Sequence, residues 1–307
     1  MSKLFQLSEL NFSEGFLIGE SFRLTETTPS SYNILRIIVG NAIITNIDID
    51  ESTEMTENFL ARWYEFSENK PFEENLAKIL NDSIEISDLN SFFFDRRYNL
   101  KNREFFVRLE NEFCNFLTYE NKGSHTTGFV FLYRILEVIS FSFPLIYASK
   151  TYDFKHTYGL LKEIFDSNNG SSKGELGFLK SAIQVIFKES DLMTTSVDIE
   201  LNEDFEKDEK IYAAIKNVVK DPNIFHGDTV ENTKICICFG HVSSFIIILR
   251  NKFFHLFNRG DKNLESHEII DPDYFFSKIN KQLFSWICVV YLEVLKHLLD
   301  EHSRYIR

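Results

Sequence analysis

The chain's 307 residues exceed one average domain and allow either one large domain or two modest ones. Its 44% hydrophobic content, with 32 Phe and 12 Tyr, is ample for a sizeable core. A formal net charge of −13 excludes a protein that gathers nucleic acid through a global basic field, although screening over about 10 Å leaves room for a local basic site.

Four cysteines, Cys114, Cys236, Cys238 and Cys288, lack the paired spacing of a zinc finger and read as buried thiols in a reducing compartment. The N-terminal "MSKLFQLSEL" has no basic stretch followed by a long apolar one, so a cytoplasmic protein without a secretion signal is expected. Apolar runs near 128–147 and 283–295 are expected to be buried helices rather than membrane spans. The first carries Arg134 and Glu137, and the second is too short.

In chain order, "EGFLIGESFRL" reads as a strand. "YNILRIIVGNAIITNIDID" holds two β-branched runs around Gly40-Asn41, which predicts a hairpin near 32–50. After residue 52 the texture turns helical. "ESTEMTENFLARWYEF" begins with capping residues, "PFEENLAKIL" has proline at a helix start, and "LKNREFFVRLENEFCNFL" has the amphipathic period.

"GSHTTGFVFLYRILEVISFSF" predicts a long buried helix that Pro144 kinks or ends. "TYGLLKEIF" and "LGFLKSAIQVIF" read as two more helices joined by "DSNNGSSKG". The acidic "VDIELNEDFEKDEK" reads as solvated surface rather than a metal site, and as a seam between parts. Helices follow at "EKIYAAIKNVVK", at "SSFIIILRNKFFHLF" and from about Asp273 to His302. The expected architecture is mostly α, with a recognition or regulatory region at 1–200 that carries the β-hairpin, and a helical bundle at 201–307.

Within the second of those helices, "LRNKFFHLF" interrupts an apolar run with Arg250, Asn251 and His255. In projection Phe245, Leu249, Phe253 and Leu256 form one apolar stripe, while Ser244, Ile248, Asn251, His255 and Asn258 form a second, polar-tipped side. Such a side suits an interface better than bare solvent. The residue types suit RNA cleavage by its own 2′-hydroxyl. An imidazole titrating near neutrality moves the protons, and a forked, permanently charged guanidinium stabilises the phosphorane-like transition state. Asn251 would hold the phosphate or orient the imidazole. Arg250 and His255 are about 140° apart on an ideal helix, so two copies meeting at a two-fold axis would complete the site better than one. Lys252, Arg259 and Lys262 offer a modest basic rim for RNA, or are ordinary surface cations.

Arg250-Asn251-Lys252-Phe253-Phe254-His255 resembles the R-[polar]-x-x-x-H motif of the HEPN superfamily (higher eukaryote and prokaryote nucleotide-binding), a likeness spanning roughly residues 205–305. The resemblance implies a helical bundle that dimerises near the motif, here through the 240–258 helix. It also implies a metal-independent endoribonuclease of toxin–antitoxin, abortive-infection or other antiviral defence systems. Arg250, Asn251 and His255 would be catalytic, RNA the substrate, and an antitoxin or defence-complex protein a further partner. No cofactor and no metal are implied. The rival expectation is a non-catalytic module in which the same residues bind RNA, a nucleotide or a partner protein.

"GSHTTGFVFLYRILEVIS" offers His125, Tyr133, Arg134 and Glu137 as a secondary group. Arg134 and Glu137, three apart, read as an intrahelical or buried ion pair, or else as a ligand-sensing or second RNA contact.

Overall fold

A computed structural model of the chain describes residues 3–10, 17–67, 70–80, 84–95, 102–149, 175–254, 263–264 and 266–306, together with Tyr158 and Lys162. The protein is mostly helical with little strand, and it divides into two compact units. The first is Met1–Asn121 with Ile287–Arg307, and the second is Lys122–Trp286.

The first unit holds a three-stranded antiparallel sheet, β1 (Phe5–Ser8), β2 (Ala42–Asn46) and β3 (Glu51–Met55), in the order β1-β2-β3. The predicted hairpin is therefore displaced. Its first run is helix α1 (Ser30–Ile38), and the hairpin joins β2 to β3, pairing Ala42 with Met55 and Asn46 with Glu51. Every residue of α1 is buried, so its β-branched side chains pack on all sides and tertiary burial outweighs their weak β preference. Gly40 closes α1 with φ +71°. Its N–H donates to the Ile37 carbonyl at 3.1 Å and the Asn41 N–H reaches back to the Arg36 carbonyl at 3.2 Å, the two bonds of a Schellman cap.

Two further expectations fail here. "ESTEM" is strand β3 rather than the start of a helix, and the described part of "EGFLIGESFRL" forms a 3-10 turn over Glu20–Phe22 rather than a strand. Helices α2 (Phe72–Leu80), α3 (Ile86–Phe94) and α4 (Arg103–Asn121) also belong to the unit, α2 starting after Pro71 as expected. Tyr32, Phe72, Phe93 and Phe113 anchor its core. The fully buried Arg36 is neutralised by Glu9 at 2.7 Å and donates to the Asn41 and Phe22 carbonyls, so its charge is not left unpaired.

The second unit contains α5 (His125–Ser149), α6 (Glu175–Ile186), α7 (Phe205–Val218), α8 (Val242–Phe254) and α9 (Ser266–Ile269). It also contains an antiparallel pair, β4 (Ser196–Glu200) and β5 (Lys234–Cys238). Helix α5 continues past Pro144 to Ser149, so the proline does not end it. The expected division at 200 falls inside this unit, directly after β4, whose five residues all pair with β5. The "TYGLLKEIF" helix and the "DSNNGSSKG" loop lie outside the described residues but for Tyr158 and Lys162, which are helical.

The acidic run is also less solvated than expected. Asp208 is 1% exposed and accepts the Glu203 and Asp204 N–H groups, at 2.9 and 3.0 Å, and the Tyr274 hydroxyl at 3.0 Å. It ties the first turn of α7 to α10 (Pro272–Ile306), the last helix, whose residues are shared between the units. Among the described residues Pro272–Asp300 is the one helix long and apolar enough to cross a membrane, and 72% of its most apolar window is buried within the protein. Cys114, Cys236 and Cys288 are buried and unbridged, while Cys238 is half-buried.

Candidate functional site

Helix α8 is amphipathic in the sense expected. Phe245 and Leu249 are fully buried, joined by Val242 and Ile246, while Ser244, Ile248, Arg250, Asn251, Lys252 and Phe253 are half-buried and Phe254 is 40% exposed. The side of the helix that carries Arg250 and Asn251 is thus neither core nor fully solvated.

Tyr133 and Asn251 are among the groups that hold Arg250. Its guanidinium lies over the ring of Tyr133, 4.8 Å from the centroid, and its Nη1 donates to Asn251 Oδ1 at 2.9 Å. A cation seated on an aromatic face in a partly desolvated position is stabilised by about 0.5–2 kcal/mol. Tyr133 can serve as that seat because it is itself fixed. It is 8% exposed on α5, with Glu137 one turn on. Burial lifts the Tyr133 pKa above the ordinary phenol value. The Arg250 charge works against that rise and Glu137 adds to it. At neutral pH the phenol therefore keeps its proton and supports the arginine rather than exchanging protons with a ligand.

One turn along, the same two helices meet again. Phe129 precedes Tyr133 by four residues on α5 and Phe254 follows Arg250 by four on α8, so each pair shares a helix face. The Phe129 and Phe254 rings are parallel within 5° at a centroid separation of 6.3 Å. Phe129 is fully buried against Phe276, 4.5 Å away, and Phe253 meets Phe276 edge-on. Two aromatic rungs on α5 therefore carry two partly exposed groups on α8, the guanidinium above Tyr133 and the Phe254 ring above Phe129.

Of the residues expected at the site, Arg250 and Asn251 are brought into direct contact. Lys252 is half-buried, and its carbonyl accepts the Leu264 N–H at 2.9 Å. His255, Arg259 and Lys262 lie outside the described residues. Arg134 and Glu137 are exposed, which rules out a buried pair. Arg134 lies over the Phe131 ring at 5.6 Å, and the Glu137 charge raises the pKa of Tyr133. His125 begins α5 about two turns before Tyr133. Its carbonyl accepts from Asn280 Nδ2 at 2.8 Å, and the next N–H donates to Asp273, whose pKa is lowered chiefly by that bond. The structure joins the His125 backbone and the next residue to the start of α10.

Tyr133 was a candidate in the sequence, but its role as the seat of Arg250 and the Phe129–Phe254 rung were not read there. The only signal for them was the shared spacing of four residues on both helices, which single-helix patterning does not connect. Among the described residues no three His, Cys, Asp or Glu side chains gather as a metal-binding group. Comparison with protein-family models, curated proteins and solved structures finds no match for this chain.

Proposed function

We propose that the chain is a metal-independent endoribonuclease of the HEPN type, acting in prokaryotic antiviral defence, abortive infection or a toxin–antitoxin pair within the cytoplasm. Its second unit would carry the site on α8. Arg250 stabilises the charge that develops on the scissile phosphate, Asn251 orients, and His255 moves the protons between the 2′-hydroxyl and the leaving 5′-oxygen. A second copy of the chain, docked through the 240–258 helix, completes the site, and an antitoxin or defence-complex protein restrains it. Lys252, Arg259 and Lys262 line the RNA path.

The observation that supports this reading is the seating of Arg250. A guanidinium braced by Tyr133 and Asn251 on a half-exposed helix side is preorganised for an anion and loses little freedom on binding one. The second reading, a non-catalytic module that binds RNA, a nucleotide or a partner protein, is favoured by the net charge of −13.

The two readings part in an RNA-cleavage assay run in EDTA with wild type and His255→Ala. Cleavage by wild type that disappears in His255→Ala is expected. Equal degradation by both would assign the cuts to a contaminant and leave the binding-module reading.

A further inference from the structure

We infer that Phe254 is a stacking platform for an unpaired RNA base, so that Arg250 and Phe254 together read one nucleotide of a single strand. The inference rests on the RNA-binding part of the proposed function, and it names which RNA the site takes.

Phe254 is 40% exposed at the end of α8, where a side chain of this size would ordinarily be buried. It is not a loose ring, because it lies parallel to Phe129, which is fully buried, and edge-on to Phe253 at 4.8 Å. Its exposed surface belongs to a rigid ring, so a ligand that stacks there orders little.

Four residues earlier on the same helix face stands the seated guanidinium of Arg250. Cβ atoms at that spacing are about 6 Å apart, a separation that a nucleotide's base and phosphate can bridge. A cation for the phosphate beside a flat apolar ring for the base is the pairing by which proteins hold single-stranded nucleic acid. A duplex offers no unstacked base to the ring. Among nucleic acids the occupant that fits both groups is a single strand, and the proposed function makes that strand RNA.

The test uses the full chain carrying His255→Ala, so that the probe survives. The probe is a short oligoribonucleotide labelled with fluorescein and containing 2-aminopurine, in EDTA, and its blunt duplex serves as comparison. Phe254→Leu should weaken single-strand binding roughly tenfold and abolish the 2-aminopurine quenching, Phe254→Trp should restore both, and the weak duplex binding should not move. Equal affinity with leucine, a loss that tryptophan does not repair, an equal loss on the duplex, or no binding by any form would overturn the inference.

The nuclease reading fails separately. Should the wild-type protein bind with this Phe254 dependence yet never cut, stacking stands and catalysis falls. Should it cut while Phe254→Leu leaves KM unchanged, catalysis stands and stacking falls.

Discussion

Arg250→Ala is expected to lower kcat for RNA cleavage by about a hundredfold to a thousandfold, the range seen when one preorganised transition-state donor is removed. The size follows from the side chain's setting. Tyr133 and Asn251 hold the guanidinium in place before substrate arrives, so its stabilisation is not spent on ordering a floppy side chain. Arg250→Lys should rescue poorly, because an ammonium keeps the charge but loses the planar fork that both lies on the ring and grips a phosphate bidentately. Steady-state kinetics on a labelled single-stranded RNA decide the matter. If lysine restored full activity, only a point charge would be needed and the seating on Tyr133 would be incidental.

Gly40→Ala should produce the largest loss of stability. Gly40 sits at φ +71°, where a Cβ strains the backbone, and an added Cβ would lie 2.3 Å from the Glu57 carbonyl oxygen and 2.4 Å from its carbon. Both neighbours are main chain and cannot swing away. The expected cost is about 3 kcal/mol or more, the sum of a left-handed alanine and an overpacked contact. Gly123 provides an internal comparison. Its φ is +70°, but nothing lies within 4 Å of the position an added Cβ would take. Gly123→Ala should therefore cost only about 1 kcal/mol. Chemical denaturation of the two variants separates the clash from the backbone strain. Equal, small losses would mean that the contact between Gly40 and Glu57 is looser than drawn.

Gly40 also shows why part of the fold was illegible in the sequence. Glycine followed by asparagine between two β-branched runs is a hairpin signal, yet here the pair is the C-terminal cap of a helix that is buried on every face. The helical rhythm of α1 is present, with Tyr32, Ile34, Leu35, Ile37 and Ile38 apolar and Ser31, Asn33 and Arg36 polar, but its β-branched residues beside Gly40-Asn41 carry a competing hairpin signal over the same short stretch. The opposite error befell "ESTEM". Its buried positions are Thr53 and Met55 alone, so the alternation is real but too polar to notice until β2 pairs with it.

The amphipathic helices were legible because each has a wet side, as α4 and α7 do. Likewise Arg250 and Asn251 stood out because they break an apolar run within one helix. What supports them did not. Tyr133 and Phe129 come from more than a hundred residues upstream, and only the packing of α5 against α8 aligns their spacing with that of Arg250 and Phe254. Phe254 itself was indistinguishable among 32 phenylalanines until the structure laid it, 40% exposed, parallel to Phe129 and one turn from Arg250.

The chemistry of the cut ends is the most direct test of the proposed reaction. Single-stranded RNA incubated with the wild-type protein in EDTA should yield fragments ending in a 2′,3′-cyclic phosphate by mass spectrometry, and none with Arg250→Ala or His255→Ala. Fragments ending in a 3′-hydroxyl, or cyclic ends that persist undiminished in both variants, would contradict cleavage by the 2′-hydroxyl at this helix.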